Sequence, residues 1–399
     1  MRDRALSAAE RRTGIAAAIG CVSAVGVGLG LGFPLLSLVL ESRGVPGHVI
    51  GFVTAMGGLA TLAVAPLTPR FMRRLGVPRT LMLAVVLAAS SFLAFYWAGP
   101  LWLWFALRFL NGAGLAVLFV ASEFWINALA PPDRRGLVMG LYATVLSLGF
   151  AAGPALLALT GSQGLLPFAV GTALALSAAP LALLGAGAAP RIDAPPRRSM
   201  LAFVRVAPTA TLAAFVFGAV ETGSLGLLPV YGLRLGFDET AAALLVAAAL
   251  LGNVGLQIPI GLLSDRADRR RVLLFCGGIG LVGATLMPLA AGRGWLLPAL
   301  LFVWGGTTAA LYTVGLTLLG ARFTGTELAG ANAAYIMLYS AGMLVGRRPW
   351  APASTSGTRT ASRPSSRSSW RSTPGWRPSG HGGRDESFLD FRRPLPSFA

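Results

Sequence analysis

The chain has 399 residues, 55% of them apolar and only 12% charged, with a mean hydropathy of +0.69. Soluble globular proteins carry roughly 25% charged residues, so this composition excludes an ordinary water-soluble domain and points to the bilayer. The formal charge of +18 lies in short clusters between apolar runs rather than on one basic face, which argues against nucleic acid as a partner.

In chain order, apolar runs long enough to cross ~30 Å of hydrocarbon as helices are expected at 14–40, 48–69, 80–98, 101–128, 136–160 and 164–188, then at 206–232, 240–263, 272–291, 295–320 and 328–346. The charged stretch MRDRALSAAERR precedes the first run. That run is too long, and followed by too many others, to be a cleaved signal peptide. The Pro- and Arg-rich segment "APRIDAPPRRS" (189–199) divides the eleven runs into six and five. The expected organisation is a six-helix half over 1–188, a cytoplasmic linker over 189–205, a second half over 206–346 with five helices, and an Arg/Ser-rich tail over 347–399.

The arginines give the orientation, and no lysine is present. Nineteen arginines fall on segments that share a side with the N-terminus, and only Arg43, Arg234 and Arg293 fall on the other side. The positive-inside bias therefore places the N-terminus in the cytoplasm. Cys21 and Cys276 lie inside predicted spans, and the only histidines are His48 and His381. Neither a disulfide framework nor a metal site is expected. No Walker loop and no Ser/His/Asp set is present, so neither ATP-driven transport nor enzymatic chemistry is expected. "GIGLVG" (278–283) has dinucleotide-binding spacing but sits in an apolar span without a preceding strand, where its glycines serve helix packing.

The two parts resemble each other at an offset of about 192 residues. "RRLGVPRTL" (73–81) lies over "DRADRRRVL" (265–273). "GLYATVLSLGFAAG" (140–153) lies over "NAAYIMLYSAGMLVG" (332–346), placing Tyr142 on Tyr335 and Gly149 and Gly153 on Gly342 and Gly346. Such a repeat implies a pseudo-twofold bundle with a cavity between its halves.

"GLLSDRADRRRVL" (261–273) resembles the loop signature of the major facilitator superfamily. The resemblance extends over residues 1–346 and implies an all-α integral membrane bundle of two pseudo-symmetric six-helix halves, with the twelfth helix lost from this chain. It assigns Gly261, Asp265, Arg266, Arg269, Arg270 and Arg271 to a gating clasp, with Asp268 standing where the family has glycine. The first-half copy, "PRFMRRLGVPR" (69–79), keeps Arg74 and Gly76 but has Arg73 where the family has aspartate. "RFLNGAG" (108–114) resembles the fourth-span motif, which implies that Arg108 and Asn111 lie in the transport pathway. "GFAAGP" (149–154) resembles the core of the fifth-span motif of antiporters, making Gly149, Gly153 and Pro154, with Gly342 and Gly346, a helix-packing set.

Three charged residues remain within the spans: Arg108, Glu123 and Glu221. Charge in hydrocarbon costs at least ~2.5 kcal/mol, so each is a candidate functional group. Arg108 and Glu221 are expected at matching depths, paired across the cavity, with substrate or a proton competing for the pair. Glu123, in "SEFWIN" (122–127), is expected near the cytoplasmic end of its helix, either facing loop arginines as an inner gate group or meeting water. Trp102, Trp104 and Trp304 are expected at lipid or packing surfaces, or stacked on a substrate.

The tail contradicts the arginine bias, because an eleventh span ends outside and would place ten arginines there. Read one base out of frame, every Trp codon and every TCN serine codon gives a hydrophobic residue. With GC-rich third bases, residues 350–373 reread as a short polar turn followed by an apolar helix. The tail therefore reads as frameshifted, or else as a disordered Arg/Ser segment. The expected function is secondary-active transport of a small solute (a drug, sugar or organic ion) by alternating access, coupled to protons. The setting is a bacterial inner membrane, as a monomer, with lipid as the surrounding partner and no cofactor. A damaged, non-transporting product and a flux-free sensor are the alternatives.

Overall fold

The computed structural model describes residues 7–194, 198–291 and 293–346. Among them are eleven helices long and apolar enough to cross a membrane: α1 (Ala8–Ser42), α2 (Gly47–Leu75), α3 (Val77–Trp97), α4 (Leu101–Leu129), α5 (Arg135–Thr160), α6 (Leu166–Leu184), α7 (Pro208–Arg234), α8 (Ala241–Arg266), α9 (Arg269–Ala290), α10 (Leu296–Arg322) and α11 (Gly325–Gly346). No strand occurs among the described residues. The tail 347–399 and its alternative reading frame lie outside them.

Each helix matches a predicted apolar run, and the differences have local causes. α1 starts several residues early because Ser7 and Glu10 form a capping box: the Ser7 hydroxyl accepts from the Glu10 N–H at 3.1 Å, and the Ser7 N–H donates to Glu10 Oε2 at 2.8 Å. α2 passes through a 3₁₀ turn at Ala65–Leu67 and continues as an amphipathic turn, Thr68–Leu75, carrying Arg70, Arg73 and Arg74. Charge does not end a helix where it can reach the interface. Gly76 then reverses the chain at φ +80°. α7 runs through Pro229 to Arg234, which spanning helices tolerate because neighbouring groups satisfy the freed carbonyl. The 189–205 segment contains a short helix, Met200–Val206, whose cap is the Ser199 hydroxyl accepting from the Ala202 N–H at 3.3 Å.

The halves repeat one packing relation. α5 lies on α1, where a Cβ on Gly149 would stand 2.9 Å from the Ser23 carbonyl and one on Gly153 would collide with the Gly30–Leu31 backbone. α11 lies on α7 in the same way, with Gly342 against Phe215 and Gly346 against Ala219. Backbones this close admit no side chain at those positions. Between halves, α5 packs on α8, α2 packs on α11, and α4 reaches α10 and α11. The architecture is thus the two-half, all-α bundle expected, with six spans in the first half and five described in the second.

Candidate transport pathway and gate

Each half holds a cavity. In the first, it is lined by α1, α3, α4 and α6, with Phe33, Phe92, Arg108 and Asn111 among the lining residues. Arg108 is buried, seven residues into α4, or about 10 Å from its start. Its Nη1 donates to Asn111 Oδ1 at 3.1 Å, and Asn111 Nδ2 donates to the Ala88 carbonyl at 3.0 Å. The guanidinium also lies 4.6 Å from the Phe33 ring centroid, an electrostatic attraction that strengthens away from water. Asn111 therefore ties Arg108 to α3 and fixes where its remaining donors point.

In the second half, the cavity is lined by α7, α8 and α10, including Glu221, Asn253, Trp304 and Thr308. Glu221 Oε2 accepts from the Tyr339 hydroxyl of α11 at 2.5 Å. The Trp304 indole donates to the Gly280 carbonyl at 2.9 Å and is among the residues lining the cavity. Trp104 is a packing residue, fully buried and donating to the Ala98 carbonyl at 2.9 Å, whereas Trp102 is exposed.

Arg108 and Glu221 do not form the expected pair. They belong to separate cavities, and no ion pair joins them. Their depths differ as well: Glu221 stands thirteen residues before the end of α7, or roughly 20 Å along the axis.

Glu123 differs most from expectation. It faces neither loop arginines nor water, but is fully buried between the halves. Its Oε1 accepts from the Tyr142 hydroxyl of α5 and the Tyr312 hydroxyl of α10, both at 2.5 Å. Tyr335 of α11 donates to the Tyr312 carbonyl at 2.7 Å, and the rings of Tyr312, Tyr335, Tyr339 and Phe217 pack together. One turn along α4, Asn127 Nδ2 donates to the Leu316 carbonyl of α10 at 2.8 Å. Its partners are thus one tyrosine from each half rather than loop arginines.

Two further contacts close the same face. The Asp265 carboxylate, at the end of α8, accepts from the Gly136 N–H at 2.7 Å and the Leu137 N–H at 2.8 Å. It caps the start of α5 across the junction, where unpaired N–H groups and the helix dipole both favour an anion. Arg269 is 3.5 Å from Asp265 and donates to the Pro132 carbonyl at 3.1 Å. A Cβ on Gly261 would collide with the Gly136 carbonyl, so glycine permits the approach. Arg266, Arg270 and Arg271 remain exposed and take no part. Asp268 caps α9 by accepting from the Arg271 N–H at 2.9 Å, which explains its departure from glycine. In the first-half loop, Arg74 and Gly76 are exposed and Arg73 is half-buried. The corresponding start of α11 carries Glu327, paired with Arg198 at 2.8 Å.

The loop, the repeat and the two cavities agree with a comparison to known families. The model described as Major Facilitator Superfamily matches residues 18–346. The chain belongs to the major facilitator superfamily. Among curated relatives, the MFS-type transporter YfkF of Bacillus subtilis (strain 168), itself uncharacterised, is 27% identical over 82% of this chain and 84% of its own. An uncharacterised MFS-type transporter of Yersinia pestis (strain Pestoides F) is 26% identical over 78% and 81%. Among solved structures, the Escherichia coli fucose:proton symporter FucP superposes with a TM-score of 0.66 at 16% identity over 83% of this chain and 90% of that one. The human organic anion transporter MFSD10 gives 0.66 at 18% over 84% and 92%. These likenesses establish the fold and a multi-pass membrane transporter of this superfamily.

Of the superfamily features read from sequence, Arg108, Asn111, Asp265 and Arg269 lie where cavities and inter-half contacts are, and Gly149, Gly153, Gly342 and Gly346 lie at helix crossings. Pro154 follows Gly153 within α5. Tyr312, Tyr339, Gln257 and Thr313 carry buried hydrogen bonds that no motif announced. The one available signal was the repeat, which singled out Tyr142 and Tyr335.

Proposed function

We propose that the chain is a secondary-active transporter that moves a small solute by alternating access, coupled to protons. The observation supporting this is a cavity in each half, one holding a buried arginine and the other a buried glutamate, above a face closed by bonds between the halves. With the N-terminus in the cytoplasm, as the arginine bias requires, the closed face is cytoplasmic and the molecule faces outward. The solute is a drug, sugar or organic ion, the protein works as a monomer in a bacterial inner membrane, and no enzymatic step is involved.

The test is proteoliposomes containing the purified chain and a pH-sensitive dye, challenged with gradients of sugars, organic anions and organic cations. A solute-driven pH change that Glu221→Gln abolishes supports the reading. Solute flux without any pH change refutes proton coupling. The composition of the tail favours a second reading, a damaged product without flux, and membrane yield against a frame-restored chain separates the two.

A further inference from the structure

The Glu123 carboxyl is placed asymmetrically. Oε1 receives two phenolic hydroxyls, one from each half, while Oε2 is buried with no partner among the described residues. A neutral carboxylic acid fits this pattern: its carbonyl oxygen accepts two hydrogen bonds, and the other oxygen carries the proton. A carboxylate would leave half its charge in a dry junction with no donor, which costs far more than one unsatisfied neutral hydroxyl.

Among the described residues no cation pairs with Glu123. From α5 and α10 the facing groups are Tyr142 and Tyr312. From α11 they are Tyr335, bonded to the Tyr312 carbonyl, and Tyr339, bonded to Glu221. Cys21 of α1 turns to the Ala178 carbonyl of α6, and the α2 arginines Arg70, Arg73 and Arg74 sit on the loop turn of that helix, with no ion pair to Glu123. On α4 itself the neighbouring polar groups are the neutral Ser122, Trp125 and Asn127.

We infer that Glu123 is a proton-binding latch: protonated, it holds the face formed by α4, α5 and α10 closed through Tyr142 and Tyr312, and ionised, it releases that face. The inference deepens the proton-coupled reading above and rests on it. When the halves rock apart, Tyr312 leaves with the second half and Glu123 meets water, where the acid O–H gives up its proton to solvent. Closing again requires that a proton return, because the closed junction has no donor for Oε2. Tyr312 and Tyr339 are in ring contact at 5.3 Å between centroids, so Glu123 and the cavity carboxylate Glu221 are held by neighbouring tyrosines. Occupancy of the cavity can thus bear on the latch through one aromatic contact.

The test reads the gate directly and needs no substrate. Spin labels at Leu75→Cys and Arg322→Cys, on exposed ends of α2 and α10, are placed in the full chain with Cys21 and Cys276 replaced by alanine, and inter-label distances are measured in nanodiscs from about pH 5 to about pH 9. The expected result is a closed population at low pH, with an open-to-closed ratio rising roughly tenfold or more as pH increases. Glu123→Gln, permanently neutral, stays closed throughout. Tyr312→Phe keeps the pH response but has a lower closed fraction at every pH, and it serves if the glutamine variant fails to fold. A Glu123→Gln titration like that of the parent overturns the inference while leaving proton coupling in place, and loss of the response in Glu221→Gln instead assigns it to the cavity carboxylate. A parent protein with no pH response overturns both.

Discussion

At the residue scale, the proposed function rests on the few charged side chains placed within the spans. Arg108, Glu123 and Glu221 could be picked from the sequence because each interrupts an apolar run and such interruptions are costly. Their partners could not, because hydroxyls and amides cost little in a span and leave no trace in hydropathy. Asn111, adjacent in a motif, was legible; Tyr312 and Tyr339, from distant helices, were not. Arg108 gives a specific expectation. Lysine preserves the charge but loses the planar fork that spans Asn111 and the Phe33 ring. Arg108→Lys should lower solute flux at least tenfold, equivalent to about 1.4 kcal/mol, with membrane yield unchanged. Flux equal to that of the parent would show that only the charge is used. Asn111→Ala, which frees Arg108 from α3, should raise the half-saturating solute concentration more than it lowers the maximal rate, because it disturbs positioning rather than charge.

At the scale of elements, helices were legible to within a turn at most ends, since apolar length and local caps are encoded in consecutive residues. Depth within a helix was less legible than its ends: Glu221 was expected level with Arg108, but it stands thirteen residues before the end of α7 at Arg234. The clasp shows another limit. Asp265 and Arg269 were recognisable in their loop, yet their target, the first N–H groups of α5, is 128 residues away for the Asp265–Leu137 bond. Two charge-assisted backbone bonds at a helix start are worth about 2 kcal/mol. Asp265→Ala should therefore move the closed-to-open ratio of that face by roughly thirtyfold toward open. Cysteine accessibility at Ser264, buried in the closed state, would report the change, and an unaltered labelling rate would mean that the aromatic junction holds the face by itself. Gly153→Leu should reduce folded yield severely, since α1 cannot approach α5 around a side chain at that crossing.

At the scale of the whole molecule, the repeat makes each half a control for the other. In the first half, α6 packs on both α1 and α3. The most apolar windows of those two helices are 59% and 50% buried, whereas their counterparts α7 and α9 are 33% and 28% buried. Leu274, Phe275, Leu281, Val282 and Leu289 of α9 are all exposed. A helix equivalent to α6 is the cover that this asymmetry calls for, and the out-of-frame reading of the tail supplies an apolar segment of suitable length. If that reading is right, the nucleotide sequence from codon 340 onward contains a single-base change whose reversal opens a frame encoding an apolar helix. The restored chain should then accumulate in membranes severalfold above the present one, because a helix laid on α7 and α9 adds packing worth more than the 1–2 kcal/mol that changes abundance severalfold. Equal yields would mean that lipid serves α7 and α9 as well as protein does, and would leave the burial difference between the halves as a true asymmetry of this transporter.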